Sequence, residues 1–157
     1  MKQDKPSVDL IYDEIRNLKA KNKIIGFANG CFDLLHDGHL HLIKISKRNC
    51  DFLIIGLNSD DSVSRLKGTN RPIENQNKRY ENLSTLNYVD KVIIFDEDTP
   101  IELIEIIKPD IIFKGSDYKG KEIVGGDLIK SYGGKVFLVS LVEGISTTKI
   151  IETKVKR

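Results

Sequence analysis

Apolar residues along this chain follow two patterns, one with the spacing of a helix face and one of short continuous runs. Over the first twenty residues, apolar side chains recur at helical spacing, at Val8, Ile11, Ile15 and Leu18. Further stretches with helical character are 40–47, 75–86, 124–132 and 146–155. Short apolar runs predict buried strands at 24–28, 52–57, 92–95, 111–113 and 136–141. The pattern therefore predicts five strands that alternate with helices.

The fold class follows from the order of these elements and from what the strands contain. Runs such as Ile54-Ile55 and Ile111-Ile112 are apolar at successive positions, so both faces of those strands should be buried. Strands of this kind, alternating with helices, are typical of a parallel sheet covered on both sides. The sequence predicts one domain with a doubly wound α/β fold around a five-stranded parallel sheet.

Helix boundaries are clearest after the third predicted strand. Thr99 is predicted as an N-cap, with Pro100 at the first helical position and Glu102 completing a capping box. Pro109 should stop this helix, and the pair Gly133-Gly134 should close the next one.

Composition and charge limit the possible partners. The chain has 157 residues, of which 39% are hydrophobic and 31% are charged, which excludes an intrinsically disordered chain or a disulfide scaffold. Its 25 basic and 23 acidic residues leave a net charge of +2. Because so balanced a chain lacks the bulk charge to hold nucleic acid or an anionic membrane, we expect neither as a partner. Any anionic ligand should be held by a local site.

Two features bear on the cellular compartment. No segment approaches the roughly 20 apolar residues that cross a bilayer, and residues 1–22 lack the apolar core of a signal peptide. Cys31 and Cys50 form neither a Cys-x-x-Cys pair nor a metal-ligand spacing. We expect a cytoplasmic protein with two free thiols.

The exit of the first predicted strand carries every histidine of the chain. Residues 29–39 read Asn-Gly-Cys-Phe-Asp-Leu-Leu-His-Asp-Gly-His, and the histidines are His36, His39 and His41. Doubly wound sheets bind ligands beyond the carboxyl ends of their strands. Gly38 would let the backbone approach a ligand, and the start of the following helix would favour an anion.

Three interpretations of these histidines are open. A zinc site lacks a fourth ligand nearby and a cysteine at a known spacing. Structural histidines are the ordinary alternative. In the third, a His-x-Gly-His turn binds phosphate, and its imidazoles stabilise charge on a transferring phosphorus. The position directly after the first strand favours the third interpretation.

Residues 29–39 resemble the nucleotide-binding signature of the nucleotidyltransferase superfamily with the His-x-Gly-His motif. Further matching segments fall in family order, at 56–63, 66–68, 71–73, 89–90, 98–100, 108–110, 114–118 and 143–148. Together they are similar to the bacterial heptose 1-phosphate adenylyltransferases, and the resemblance covers about residues 23–153. It implies a Rossmann-like nucleotidyltransferase domain at 23–157, with a helix at 1–22 packed on it. Ser116 departs from the glycine that members commonly carry, and 1–22 is too short for the kinase half that often precedes such a domain, so we expect the stand-alone form.

The resemblance also implies roles for individual residues. It places catalytic residues facing the nucleotide phosphates at His36, His39, Lys67 and Arg79. It implies nucleotide contacts at Gly30, Cys31, Phe32, Gly38, Lys114, Gly115, Asp117, Gly144, Ile145, Ser146, Thr147 and Thr148. It identifies no protein ligand for a metal.

Residue type alone offers different interpretations for several of these positions. Lys67, expected on a loop, and Arg79, expected on a helix, would ordinarily be solvated surface charges. The hydroxyls of 146–148 would serve equally as an N-cap cluster. Asp33 is expected to be structural, orienting the turn, and Lys44 to be an exposed helix charge.

The implied reaction is the transfer of AMP from ATP to D-glycero-β-D-manno-heptose 1-phosphate, giving pyrophosphate and ADP-heptose for lipopolysaccharide. Such a phosphate is already largely ionised near neutral pH and attacks without a general base. Mg²⁺ bridging the phosphates is expected with ATP as substrate, and so is a homodimer. The alternatives are a glycerol-3-phosphate cytidylyltransferase and a catalytically silent nucleotide sensor. Residues 141–143 read Leu-Val-Glu where the cytidylyltransferases have Arg-Thr-Glu, which favours ATP over CTP.

Overall fold

The computed structural model describes residues 8–140 of the chain. Its helices are α1 Val8–Ala20, α2 Asp37–Arg48, α3 Asp60–Lys67, α4 Gln76–Ser84, α5 Ile101–Ile107 and α6 Gly126–Ser131. Its strands are β1 Ile25–Gly30, β2 Phe52–Asn58, β3 Lys91–Phe95, β4 Ile111–Gly115 and β5 Lys135–Val139, and a 3₁₀ turn at Ser116–Tyr118 follows β4.

The five strands form one parallel sheet in the order β3-β2-β1-β4-β5, which confirms the predicted fold class. The chain builds outward from β1 through β2 to β3 and then returns to place β4 on the other side of β1. Gly26 of β1 lies opposite Leu53 of β2 on one side and Ile111 of β4 on the other. The strand order therefore reverses between β1 and β4, where such sheets open a crevice for ligands.

Alternating side chains of the strands fill two separate cores. Ile55 of β2 faces the core under α2 and α4, to which Ile43 contributes. Its neighbour Ile54 faces the opposite core, where Ile15 of α1 and Ile104 of α5 pack. All five of these side chains are at most 5% exposed. Burial on both faces explains why the strand sequences read as continuous apolar runs.

Helix α3 is absent from the predicted elements. Ser59 caps it by accepting the Ser62 N–H at 3.1 Å, and it ends at Gly68, whose φ is +112°. Only Ser62 and Val63 of this helix are buried, so it lacks the apolar spacing that reveals a helix in sequence. The expectation that Lys67 lies on a loop is wrong, because Lys67 is the last residue of α3.

The start of α5 also differs from its prediction. The helix begins at Ile101 with Pro100 as its N-cap residue, and no side chain caps it. Thr99 lies one position further out, and its hydroxyl is 3.5 Å from the Ile101 N–H. The predicted capping box with Glu102 is therefore wrong.

The remaining boundaries agree with prediction to within a few residues. The predicted helix 124–132 is shorter in the structure because Gly125 has a φ of +87° and α6 starts after it. The predicted helix at 146–155 lies outside the described residues. Between residues 8 and 140, no helix is long and apolar enough to cross a membrane.

Candidate active site

A cavity of about 290 Å³ opens where β1 and β4 end side by side. Asn29, Gly30 and Cys31 line it from the end of β1. Lys114 lines it from β4, and Lys67 lines it from the end of α3. The cavity thus brings together residues from three separate segments at the edge of the sheet where ligands are expected.

The two histidines of the His-x-Gly-His motif form the first turn of α2. The Gly38 N–H donates to His36 Nδ1 at 3.0 Å, and the His36 N–H donates to His39 Nδ1 at 3.3 Å. The two rings stack with their centroids 3.8 Å apart. Because both Nδ1 atoms accept hydrogen bonds, each ring carries its hydrogen on Nε2. The pair therefore presents two Nε2–H donors to a ligand.

His39 is a neutral donor at physiological pH. Burial is the main cause that lowers the pKa of His39 to about 4, and the neighbouring His36 and Lys67 contribute to the same shift. The ring of Phe32 lies 5.3 Å from that of His39, centroid to centroid. A neutral imidazole whose Nδ1 accepts a hydrogen bond carries its hydrogen on Nε2, and this N–H can donate to a phosphoryl oxygen.

Gly38 is needed for this arrangement. A Cβ at position 38 would lie 3.0 Å from His36 Cε1 and 3.2 Å from Nδ1, closer than ordinary contacts allow. A side chain there would require the His36 ring, which caps the helix, to shift by a few tenths of an ångström. The glycine predicted to admit a ligand thus also makes room for His36.

Two lysines supply positive charge to the cavity. Lys67 is exposed, and within residues 8–140 no carboxylate lies at ion-pair distance from it. Lys114 is largely covered, and burial lowers its pKa although Asp117 opposes this effect. The Nζ atom of Lys114 lies 5.0 Å from the centroid of the Tyr118 ring. Both ammonium groups are placed to attract an anionic ligand, while Asp117 itself is exposed on the 3₁₀ turn.

Arg79 is completely buried, unlike a solvated surface charge. Its Nη1 donates to the carbonyls of Cys31 at 2.9 Å and Asn58 at 2.8 Å. Its Nε donates to the Glu74 carbonyl at 2.9 Å, and its Nη2 to Asp60 Oδ1 at 2.8 Å. The structure gives this guanidinium four protein partners and no open face toward the cavity.

Asp33 orients the turn, as expected. Its carboxylate accepts the N–H groups of Ile73 at 2.7 Å and Glu74 at 3.0 Å, and it pairs with Arg71 at 3.2 Å. Burial alone would raise the pKa of Asp33, but these hydrogen bonds and the Arg71 charge outweigh it and hold the pKa below its ordinary value. Asp33 therefore stays ionised and ties the β1–α2 loop to the chain before α4.

Several other positions were assigned from sequence. His41 contacts the Ser140 carbonyl through Nε2 at 3.0 Å, which fits a structural histidine. Lys44 is exposed on α2 as expected. Phe32 is buried beside His39, and Gly115 ends β4. The predicted contacts at Gly144, Ile145, Ser146, Thr147 and Thr148 lie outside the described residues.

Asn29 and Glu74 are site residues that the sequence analysis missed. Asn29 lines the cavity, and its buried Oδ1 has no hydrogen-bond partner within residues 8–140. Glu74 contributes its backbone to both Asp33 and Arg79. The sequence signals for Asn29 are its position at the end of an apolar strand and at the start of the signature 29–39, whereas Glu74 has none.

The fold and this site together define a nucleotide-binding α/β protein with paired histidines at its switch point. Residues 27–153 match the model of the cytidylyltransferase-like family, and the chain belongs to that family. It is therefore a nucleotidyltransferase with the Rossmann-like fold that its sequence predicts.

Two curated relatives of the chain carry the same description. The bifunctional protein HldE of Campylobacter concisus is 53% identical over 140 residues, which are 89% of this chain and 29% of that protein. HldE of Hyphomonas neptunium is 48% identical over 144 residues, which are 92% of this chain and 30% of that protein. The chain thus spans about 30% of the length of these relatives.

Solved structures agree with the fold. A lipopolysaccharide core biosynthesis protein from Thermoplasma volcanium has a TM-score of 0.62 and 34% identity, and the match covers 76% of this chain and 97% of that one. A pantoate-beta-alanine ligase from Francisella tularensis has a TM-score of 0.61 with 18% identity, covering 85% of this chain and 65% of that one. The second likeness concerns the fold alone.

Proposed function

We propose that this chain transfers AMP from ATP to D-glycero-β-D-manno-heptose 1-phosphate, releasing pyrophosphate and forming ADP-heptose for lipopolysaccharide. The observation that carries the proposal is the histidine pair at the start of α2, whose Nδ1 atoms are hydrogen-bonded and whose Nε2–H groups remain as donors. The pair follows a few residues after Gly30 and Cys31, which line the same cavity as Lys67 and Lys114. The description of the curated relatives as bifunctional HldE supports the acceptor. The description of the Thermoplasma volcanium protein supports the lipopolysaccharide role.

The proposed chemistry suits the groups that the site provides. A phosphate monoester is largely dianionic near neutral pH, so its oxygen attacks the α-phosphorus without a base. The protein then has two tasks, which are to align the reactants and to stabilise negative charge on the α-phosphoryl group and on the departing pyrophosphate. His36 and His39 would donate to the α-phosphoryl oxygens, and Lys67 and Lys114 would offset the charge of the phosphates.

We further propose that Mg²⁺ enters with the triphosphate. Among the described residues, no group of three or more His, Cys, Asp or Glu side chains is arranged to hold a metal ion. Phosphate oxygens and water are the ligands that Mg²⁺ commonly uses when it binds a nucleotide, and the ion would neutralise the pyrophosphate as it leaves. The cytoplasm, where ATP is available and thiols such as Cys31 and Cys50 stay reduced, is the expected compartment. A homodimer remains a prediction, which sedimentation velocity would check.

A panel of acceptors with ATP and Mg²⁺ tests the proposal. Pyrophosphate release should be fastest with D-glycero-β-D-manno-heptose 1-phosphate, and the product should have the mass of ADP-heptose. Turnover only with glycerol 3-phosphate and CTP would replace the proposal with a glycerol-3-phosphate cytidylyltransferase. Nucleotide binding with no pyrophosphate from any acceptor would indicate the silent sensor.

A further inference from the structure

The loop between β1 and α2, which leads to the histidines, has two residues in an energetically unfavourable backbone conformation. Phe32 has a φ of +48° and Leu34 a φ of +57°, and both therefore occupy the left-handed region. Residues with a Cβ adopt this region rarely, and they persist there when surrounding contacts hold them. His36 follows directly after these two residues. The position of the His36 ring therefore depends on what fixes the loop.

Asp33, between the two left-handed residues, fixes the loop from one side. Its side chain is 2% exposed, and its carboxylate accepts N–H groups from Ile73 and Glu74. These contacts bridge 40 and 41 positions of sequence. The loop is thus attached to the segment that leads into α4.

Arg79, at the other end of that segment, completes the attachment. It donates to the Cys31 carbonyl at 2.9 Å, two residues before Asp33, and to the Glu74 carbonyl at 2.9 Å. Glu74 is therefore held at both backbone groups, its N–H by Asp33 and its carbonyl by Arg79. The hydrogen bonds close a ring from Cys31 through Arg79 and Glu74 to Asp33 and back along the chain.

The same guanidinium joins this ring to β2. Arg79 donates to the Asn58 carbonyl at the end of β2 and to Asp60 in the first turn of α3. Arg79 is fully buried, and its guanidinium hydrogen bonds are made to these groups within the protein. A residue so engaged reaches a bound phosphate only by giving up its own partners.

We propose that Asp33 and Arg79 are positioning residues for nucleotidyl transfer, which act together through the Glu74 backbone to hold His36 and His39 in their donor geometry. Neither residue contacts the substrate. The turnover measurements below rest on the proposed function, whereas the measurement of the histidine rings is independent of it.

The test compares Asp33→Asn and Arg79→Lys with a matched control. Asp33→Asn keeps the size of the side chain but replaces one of its acceptor oxygens with a donor. Arg79→Lys keeps the charge, but one ammonium group has too few donors to serve four acceptors. Asp110→Asn is the control, because Asp110 also accepts a backbone N–H, that of Ile25 in β1 at 2.8 Å, but at the opposite edge of the sheet.

Turnover should separate positioning from contact with substrate. Each of the two variants should lower kcat by ~100-fold, the loss expected from a displacement of about 1 Å in catalytic groups, while KM for ATP changes less than about threefold. The double variant should lose no more than the worse single variant, because both break one ring. Asp110→Asn should keep kcat within about twofold even if its Tm falls.

The nitrogen signals of the histidine rings provide the independent readout. In the parent protein, ¹⁵N NMR should show Nδ1 of His36 and His39 without hydrogen, and both variants should show mixed tautomers while Asp110→Asn matches the parent. Unchanged ring signals in Asp33→Asn would overturn the proposal, and that variant decides alone if Arg79→Lys does not fold. A large rise in the KM for ATP at unchanged kcat in Arg79→Lys would also overturn it, because Arg79 would then contact phosphate. If heptose 1-phosphate proves not to be a substrate, the ring signals still decide.

Discussion

The two edges of the sheet differ in whether their polar groups have partners within the protein. At the edge where strands begin, carboxylates satisfy the first backbone groups. Asp51 accepts the Ile24 N–H at 2.7 Å, and Asp90 accepts the Leu53 N–H at 2.8 Å. Lys47 in turn pairs with Asp90 at 2.7 Å. The polar groups named at this edge are therefore paired with one another within the protein.

At the edge where strands end, several polar groups are oriented by contacts within the protein but still have donors or acceptors for a ligand. The Nδ1 atoms of His36 and His39 are used internally, and their Nε2–H donors remain. In the described part of the chain, Lys67 has no carboxylate partner and Asn29 Oδ1 has no donor. One sheet therefore separates stability at its amino edge from chemistry at its carboxyl edge.

We expect the largest loss of activity from substitution of the two histidines at the carboxyl edge of the sheet. Replacing His36 or His39 with Ala should lower kcat by roughly 100-fold or more, because each change removes a donor to the transition-state oxygens. The Tm should fall by only a few degrees, because each change removes one half of the capping box at the start of α2, a loss of ~1 kcal/mol. Steady-state kinetics and thermal unfolding check this, and a variant with near-normal turnover would contradict the role.

Substitution of Lys67 tests how much one positive charge in the cavity contributes to the reaction with ATP. Lys67→Gln should lower kcat/KM for ATP by about 10-fold, the consequence of losing roughly 1.4 kcal/mol of attraction to phosphate. Lys44→Gln is the matched control, because Lys44 is an exposed lysine on α2 outside the cavity. Equal kinetic losses in the two variants would mean that general charge, rather than the position of Lys67, attracts the nucleotide.

A variant at the amino edge should show the reverse behaviour. Asp90→Ala removes the acceptor of the Leu53 N–H and the partner of Lys47, and it should cost about 1–3 kcal/mol of unfolding free energy. Its kcat should stay within about twofold of the parent value. Chemical denaturation together with kinetics measures both quantities, and a loss of turnover without a loss of stability would contradict the division between the edges.

A further prediction concerns how the stability of the protein depends on pH. The pKa of His39 is about 4 in the folded protein, against 6.5 for an ordinary histidine. The unfolded chain therefore binds this proton first, so the stabilising contribution is complete above pH 6.5 and is lost as the pH falls through that value toward 4. Denaturant titrations should show a smaller loss of stability between pH 7 and pH 4 in His39→Gln than in the parent. An NMR midpoint near 6.5 for His39 would contradict the shift.

Most of the fold could be predicted because its signals are local. The continuous runs of β2 and β4 result from burial on both faces, and they mark the strands directly. Helix α3 escaped prediction because only Val63 among its apolar residues is buried, so its sequence shows no apolar face.

Residue type and spacing alone predict the site where its residues are neighbours in sequence, whereas Lys67 and Lys114 are predicted only through the resemblance to the family. The His-x-Gly-His turn is contained within four positions and was recognised from them. Arg79, in contrast, is buried because it meets carbonyls 48 and 21 positions away, at Cys31 and Asn58. Such backbone acceptors exist at every residue, so no residue type reveals that the guanidinium will be enclosed.

The choice of nucleotide distinguishes a heptose 1-phosphate adenylyltransferase from a cytidylyltransferase. With D-glycero-β-D-manno-heptose 1-phosphate as the acceptor and Mg²⁺ present, pyrophosphate release should give a kcat/KM for ATP at least about 100-fold above that for CTP. A polar base edge that finds no hydrogen-bond partner in its pocket is disfavoured by about 100-fold, and residues 141–143 include no arginine that could meet cytosine. Equal values for the two nucleotides, or a preference for CTP with glycerol 3-phosphate as acceptor, would contradict the assignment as a heptose 1-phosphate adenylyltransferase.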